Sequence, residues 1–205
     1  MTWVGIDRTP GGWVVATLEV GRVELAVTES LAPVDAEVVA IDIPLSLPET
    51  VIGRACETEA RRMLGGRAST VFSSLPRWCY EAPYTSATLD KARARLGSAF
   101  SKQAWSLGPA ILEAMAVSGG HWFETHPELA FRVRAGGPVA PKKTWNGVYG
   151  RLRVLADLGV SIGDGPDGVP PDDVIDAVVC AVVASDIAAG TAHSVPGEGP
   201  DRIWY

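Results

Sequence analysis

Asp7, Asp42, Glu124, Asp173 and Asp176 stand apart from the other acids of this chain, because each lies where an apolar run begins or ends. A carboxylate at the end of a buried strand needs a cation, a hydrogen-bond network or water, since an unpaired buried charge is costly. Asp173 and Asp176 are three residues apart, so on a helix they share a face. Clustered hard oxygen donors suit Mg2+ or Mn2+, and two such ions about 4 Å apart can support in-line attack on a phosphodiester. Taken singly, each acid also has a structural reading. Asp173, for instance, could simply be an N-terminal helix charge favoured by the dipole.

Other candidates flank these acids. His126, within Glu124-Thr125-His126-Pro127-Glu128, could be a general base, a phosphate contact or a local capping group. Glu128 is placed to pair with Arg132 one turn on. Arg54, Arg61 and Arg67 surround a Gly-, Ser- and Pro-rich stretch, where guanidinium groups would serve bidentate phosphate recognition. Lys142 and Lys143 could clamp a phosphate or simply be solvated. Trp78, Tyr80 and Tyr84 could stack on bases or cover the core.

Several elements must position these groups. Trp3 to Asp7 is a short apolar strand, followed by a turn over residues 8–12. Trp13 to Val20 and Val23 to Val27 are β-branched runs split by Gly21, as in a hairpin. Val38 to Ile43 is a second fully apolar strand, stopped by Pro44. A helix is expected from Gly53 to Gly65 and a long loop over 66–87. Helix then returns from Leu89 to Val117, broken near Gly108-Pro109. His121 to Glu124 reads as a brief strand, Pro127 opens a helix to about Arg134, and Gly147 to Leu158 reads as helix. A final buried helix follows Pro170-Pro171, with Asp172 as its expected N-cap. The pattern predicts an α/β fold: a mixed sheet of about five strands, an antiparallel meander and then parallel strands, flanked by helices.

Composition bounds the rest. The 205 residues suit a single domain spanning 1–205, with a helical and loop insertion at about 50–118. Three scattered cysteines, Cys56, Cys79 and Cys180, argue against a disulfide framework or zinc site and for a reducing compartment. The first residues lack the pattern of a signal peptide, and Val174 to Ala184 is too short to span a membrane. A cytoplasmic protein is expected. Charge is segregated along the chain. Residues 1–50 hold two basic and eight acidic side chains, and residues 156–205 hold one and nine. Residues 51–110 hold nine basic and four acidic, and residues 111–155 hold six and three. The acidic whole, with a pI near 5.1, excludes a non-specific nucleic-acid coat but leaves room for a local phosphate-binding surface.

Longer motifs carry a resemblance. Gly5-Ile6-Asp7, Gly11-Gly12-Trp13 and the hairpin after them look like the opening of a ribonuclease H-like fold. The chain resembles, over nearly its whole length, the domain of unknown function 429 family of predicted ribonuclease H-like nucleases. The matching blocks are Ala40-Ile41-Asp42-Ile43-Pro44-Leu45, Arg54-x-Cys56-x-x-Glu59-Ala60-Arg61 and Arg67-x-Ser69-Thr70-Val71-Phe72. Glu124-Thr125-His126-Pro127-Glu128, Lys142-Lys143-Thr144, Asp172-Asp173-x-x-Asp176-Ala177 and Ile203-Trp204-Tyr205 follow in order. Thr70 stands where a serine is expected. The resemblance implies that Asp7, Asp42 and Asp173 or Asp176 are metal-binding catalytic acids; it does not require an acid at Glu124, which with His126 is a catalytic candidate from its place in the chain. Arg54, Arg61, Arg67, Ser69, Lys142 and Lys143 are the candidate substrate-binding residues.

The expected function is a Mg2+- or Mn2+-dependent nuclease or phosphodiesterase acting on nucleic acid or a phosphorylated small molecule. The alternative is a non-catalytic binding module in which the acids form a buried network. A kinase of the actin and sugar-kinase superfamily, whose first strand opens similarly, needs a second similar domain that 205 residues do not provide. No membrane partner is expected, and the sequence does not set an oligomeric state.

Overall fold

β-branched alternation over the first 28 positions produces a three-stranded antiparallel meander: β1 (Trp3–Thr9), β2 (Gly12–Glu19) and β3 (Arg22–Thr28). The computed structural model describes residues 2–32, 34–81, 83 and 85–205. Val20 and Gly21 turn the second hairpin with φ of 44° and 79°, the positive pair that a two-residue turn requires. β4 (Val38–Ile41) runs parallel to β1, and β5 (Trp122–Glu124) runs parallel to β4. A two-residue strand, β6 (Ser161–Ile162), adds in parallel to β3. The sheet order is β5-β4-β1-β2-β3-β6, six strands rather than the five expected. β7 (Ser194–Val195) and β8 (Ile203–Trp204) form a small separate antiparallel pair. Two-residue strands carry no periodicity, so β6, β7 and β8 left no signal in the sequence.

Among the described residues, five helices fall between β4 and β5: α1 (Ala55–Leu64), α2 (Arg77–Tyr80), α3 (Ser86–Leu96), α4 (Lys102–Ser106) and α5 (Gly108–Val117). The helical stretch expected from Leu89 to Val117 is therefore three helices. Gly97, left-handed at φ 60°, ends α3, and the Ser101 hydroxyl caps α4 by accepting from Ala104 N–H. The long loop after Leu64 contains a 3-10 turn over Gly65–Thr70 and α2. α6 (Pro127–Arg134), α7 (Trp145–Asp157) and α8 (Pro171–Ala189) follow β5. Pro170, not Asp172, occupies the N-cap of α8, which leaves Asp172 and Asp173 in its first turn. Thr144 caps α7 by accepting from Gly147 N–H at 3.1 Å.

The sheet has two packed faces. Val4, Ile6, Val39 and Ile41 point toward α2, α3, α4 and α5, in a core with Trp13, Leu75 and Ile111. Val14, Ala16, Val38 and Ala40 point the other way, onto α8 with support from α6 and α7. Gly5 is the closest approach: a Cβ there would lie 2.0 Å from Ala181 N and 2.1 Å from Ala177 O. That missing side chain lets α8 lie directly on β1. Among the described residues no helix is long and apolar enough to cross a membrane.

Candidate functional site

Asp7 is the fifth residue of β1, whose side chains alternate between the two faces, so it shares the α8 face with Gly5. Ile6 pairs with Ile41, which sets Asp42 beside Asp7, and Asp42 N–H donates to Ile6 O at 3.0 Å. Asp42 follows Ala40 by two residues and so points the same way. Asp176, one turn into α8, meets them from above. Asp7 and Asp176 are buried and Asp42 is half-buried. All three line one cavity of about 340 Å³, together with Arg8, Arg67, Ser69, Thr70, His126 and Lys142.

The electrostatics of this end of the sheet are unbalanced. Burial, followed by repulsion from Asp42 and Asp176, pushes the Asp7 carboxyl well above the usual carboxylate range. Burial carries Asp42 to about 7, against the opposing pull of Lys142 and with added repulsion from Glu124. Burial likewise raises Asp176 to about 6, again opposed by Lys142. The Lys142 ammonium donates to Asp176 Oδ2 at 2.7 Å and lies 3.5 Å from Asp172 Oδ2. Its own proton is held more tightly than usual because Asp176, Asp7 and Asp42 outweigh its burial. One ammonium thus faces three carboxylates.

Glu124 takes a different place. It follows Trp122 by two residues and shares that residue's face, away from α8. Arg54 meets it in a two-pronged pair, Nη1 to Oε2 at 2.7 Å and Nη2 to Oε1 at 2.6 Å. Arg54 Nε also donates to Glu57 Oε1 at 2.9 Å, and Glu57 accepts from the Arg54 and Ser74 backbone N–H groups. Arg54, Glu57 and Glu124 are all buried, so this network closes one wall of the cavity. Glu124 and Arg54, expected as catalytic acid and phosphate ligand, are bonded to each other.

The remaining expected residues divide between cavity and scaffold. Arg67 and Ser69 line the cavity, with Arg67 Nε on Glu128 Oε1 at 2.8 Å. Glu128 also accepts from Arg151 Nη2 at 2.5 Å, so its partners are Arg67 and Arg151 rather than the expected Arg132. Arg61 does not line the cavity; it donates to Val71 O and Ser73 Oγ and so braces the following loop. Asp173 and Lys143 also stand outside the cavity lining. Burial raises the Asp173 carboxyl, and Lys143 is near enough to oppose that rise. Trp78 is covered by the Arg95 guanidinium at 3.9 Å, and Tyr80 is buried with its hydroxyl oxygen accepting from Leu75 N–H. Tyr84 lies outside the described residues.

His126 Nε2 faces Thr70 O at 3.3 Å, which places the ring proton on Nε2. Its Nδ1 is buried without a hydrogen-bond partner among the described residues, and burial lowers its pKa, so the ring is neutral near pH 7. Three contributors were not singled out from sequence. Arg8 falls in the expected turn over residues 8–12, whereas β1 runs through it to Thr9; its place directly after Asp7 was the signal. Glu57 is three residues after Arg54, the spacing of a helix-start carboxylate. Arg151 lies on the buried Gly147, Arg151, Leu155 stripe of α7, a charged residue at a core position.

Whether these side chains suit a divalent cation depends on kind and on spacing. In kind they do, being hard oxygen donors, three carboxyl groups to the single Lys142 ammonium at the cavity. In spacing they are open: among the described residues no three His, Cys, Asp or Glu side chains are gathered closely enough to hold a metal ion. Residues 5–201 match the family described as protein of unknown function (DUF429), and the chain belongs to that family. No curated protein and no solved structure matches it.

Proposed function

We propose that this protein is a divalent-cation-dependent phosphodiester hydrolase on a ribonuclease H-like fold, with Asp7, Asp42 and Asp176 as the acids that hold the cation. The observation that carries this reading is the surplus of buried carboxylate over ammonium at one end of the sheet. The strand, strand and last-helix placement of the three acids agrees with what the family resemblance implies. Bound Mg2+ or Mn2+ would supply Lewis-acid polarisation and a more acidic attacking water.

The chain's own residues account for the rest. Arg8, Arg67 and Lys142 set three cations on the cavity wall to receive a phosphate. Neutral His126, its Nε2–H on Thr70 O, lines the same cavity, and a turn of the ring that opens its buried Nδ1 would let that nitrogen take the proton of an attacking water. The water oxygen bonds to phosphorus, the bond to the leaving oxygen breaks, and that oxygen takes a proton from solvent. Arg54, Glu57 and Glu124 keep the wall rigid.

A second reading, a non-catalytic module with a buried acid network, is favoured by the Lys142–Asp176 bond and the open spacing of the acids. Hydrolysis separates the two. With Mn2+, cleavage of bis(4-nitrophenyl) phosphate and of single-stranded, duplex and branched nucleic acids is expected from the wild type and not from Asp7→Asn. His126→Ala is expected to lose about 10²–10⁴-fold in rate. Cleavage of no substrate by folded wild type would favour the binding module.

A further inference from the structure

Beyond the cavity, α7 presents an aromatic pair to solvent. Trp145 is 77% exposed and Tyr149 is 52% exposed, one helical turn apart, with ring centroids 6.1 Å apart and planes at 15°. Large aromatics usually contribute by burial, and a pair left open in this way fits a flat partner. The opposite stripe of the helix, Gly147, Arg151 and Leu155, is buried, so packing fixes which way the pair faces. Trp145 is three positions after Lys142 on the cavity wall, so their Cα atoms are at most about 11 Å apart. Lys143 and Arg153 are exposed, the latter one turn beyond Tyr149. Residues 141–155 hold four basic side chains and no acidic one.

We infer that Trp145 and Tyr149 form a stacking platform for the bases of a single-stranded polynucleotide whose backbone enters the adjacent cavity. This rests on the hydrolase reading for the position of the reacting phosphate and adds the class of substrate. Every base has a flat face, so stacking on aromatic rings needs no sequence, and basic neighbours follow the phosphates. A duplex keeps its bases stacked on each other and cannot use the platform without unpairing. The charge also argues against a second copy of this chain as the occupant. A self-complementary contact through a segment with no acid would set basic side chains against basic ones.

The test is fluorescence anisotropy of dye-labelled oligothymidylate and oligouridylate in EDTA, beside a duplex of equal length. One or both single strands are expected to bind more tightly than duplex, and the tighter of the two distinguishes DNA from RNA. Trp145→Ala and Tyr149→Ala are expected to weaken binding about 5- to 100-fold each, with Trp145→Phe retaining most of it. Circular dichroism should show all three variants folded, because the altered rings are on the surface. The platform is overturned if no single strand binds, if the alanine variants bind as well as wild type, or if duplex is preferred. It is also overturned if Trp145→Ala only converts a dimer to a monomer in sedimentation. Because EDTA removes the cation, Trp145-dependent binding without Mn2+-dependent cleavage would sink the hydrolase reading and leave the platform. Cleavage of bis(4-nitrophenyl) phosphate with unchanged strand binding in Trp145→Ala would do the reverse.

Discussion

Asp7, Asp42 and Asp176 compete for one ammonium, and protons relieve that competition. Their pKa values are raised on folding, to about 7 for Asp42 and about 6 for Asp176. An unfolded aspartate titrates near 3.9, so between about pH 4 and pH 7 the native state binds more protons than the unfolded one. Stability from these groups is therefore greatest at the acidic end and falls as pH rises through their folded values. Melting temperature in EDTA is expected to fall from about pH 5 to about pH 8, with a shallower fall in Asp42→Asn. Asp7→Asn should melt no lower than wild type near neutral pH, because it removes one repelling charge. An unaltered pH slope in both variants would show that the acids are not coupled. Arg54 is the opposite case: Arg54→Met strands Glu57 and Glu124 as buried anions. A loss of about 3–5 kcal/mol in urea unfolding is expected.

At the scale of elements, α8 and β1 carry the site, and Gly5 holds them together. Gly5→Ala would drive a Cβ into the α8 backbone at 2.0 Å, so the helix must lift from the sheet. A loss of about 3 kcal/mol or more is expected, measured by chemical unfolding. The same variant should bind Mn2+ more weakly, since the lifted helix carries Asp176. These elements were legible beforehand: the two apolar strands beside Asp7 and Asp42, the Pro127 helix start and the apolar final helix are all present, although β1 runs on to Thr9 and β4 stops at Ile41, short of the expected Ile43. The break near Gly108-Pro109 was legible too, but the one between Leu96 and Lys102 was not, because Gly97 and Ser101 act through local backbone and capping geometry that weak amphipathicity hides. Partner choice was also hidden. Nothing in the spacing of Glu128 says that Arg67 and Arg151, 61 and 23 residues away, outcompete Arg132. Glu124 was identifiable as a strand-end acid, yet its face follows from strand parity, which needed the register.

Over the whole molecule, the chain's two acidic ends meet while its basic middle supplies the wall. β1 and β4 come from the first 50 residues and α8 from the last 50, and the sheet brings their acids to one cavity. From the basic stretch between, Lys142 donates to Asp176 and Arg67 lines the same cavity. Such a layout holds a cation at the acids and a polyanion at the rim. Calorimetric titration with Mn2+ tests this most directly, comparing wild type with Asp7→Asn, Asp42→Asn and Asp176→Asn near pH 6 and pH 8. Metal must displace the protons that the raised carboxylates retain, so wild type should bind more tightly and release fewer protons at the higher pH. Each of the three variants should lose binding at least about ten-fold, a change of roughly 1.4 kcal/mol. No heat of binding in folded wild type, or equal affinity in all three variants, would contradict a cation site built from Asp7, Asp42 and Asp176.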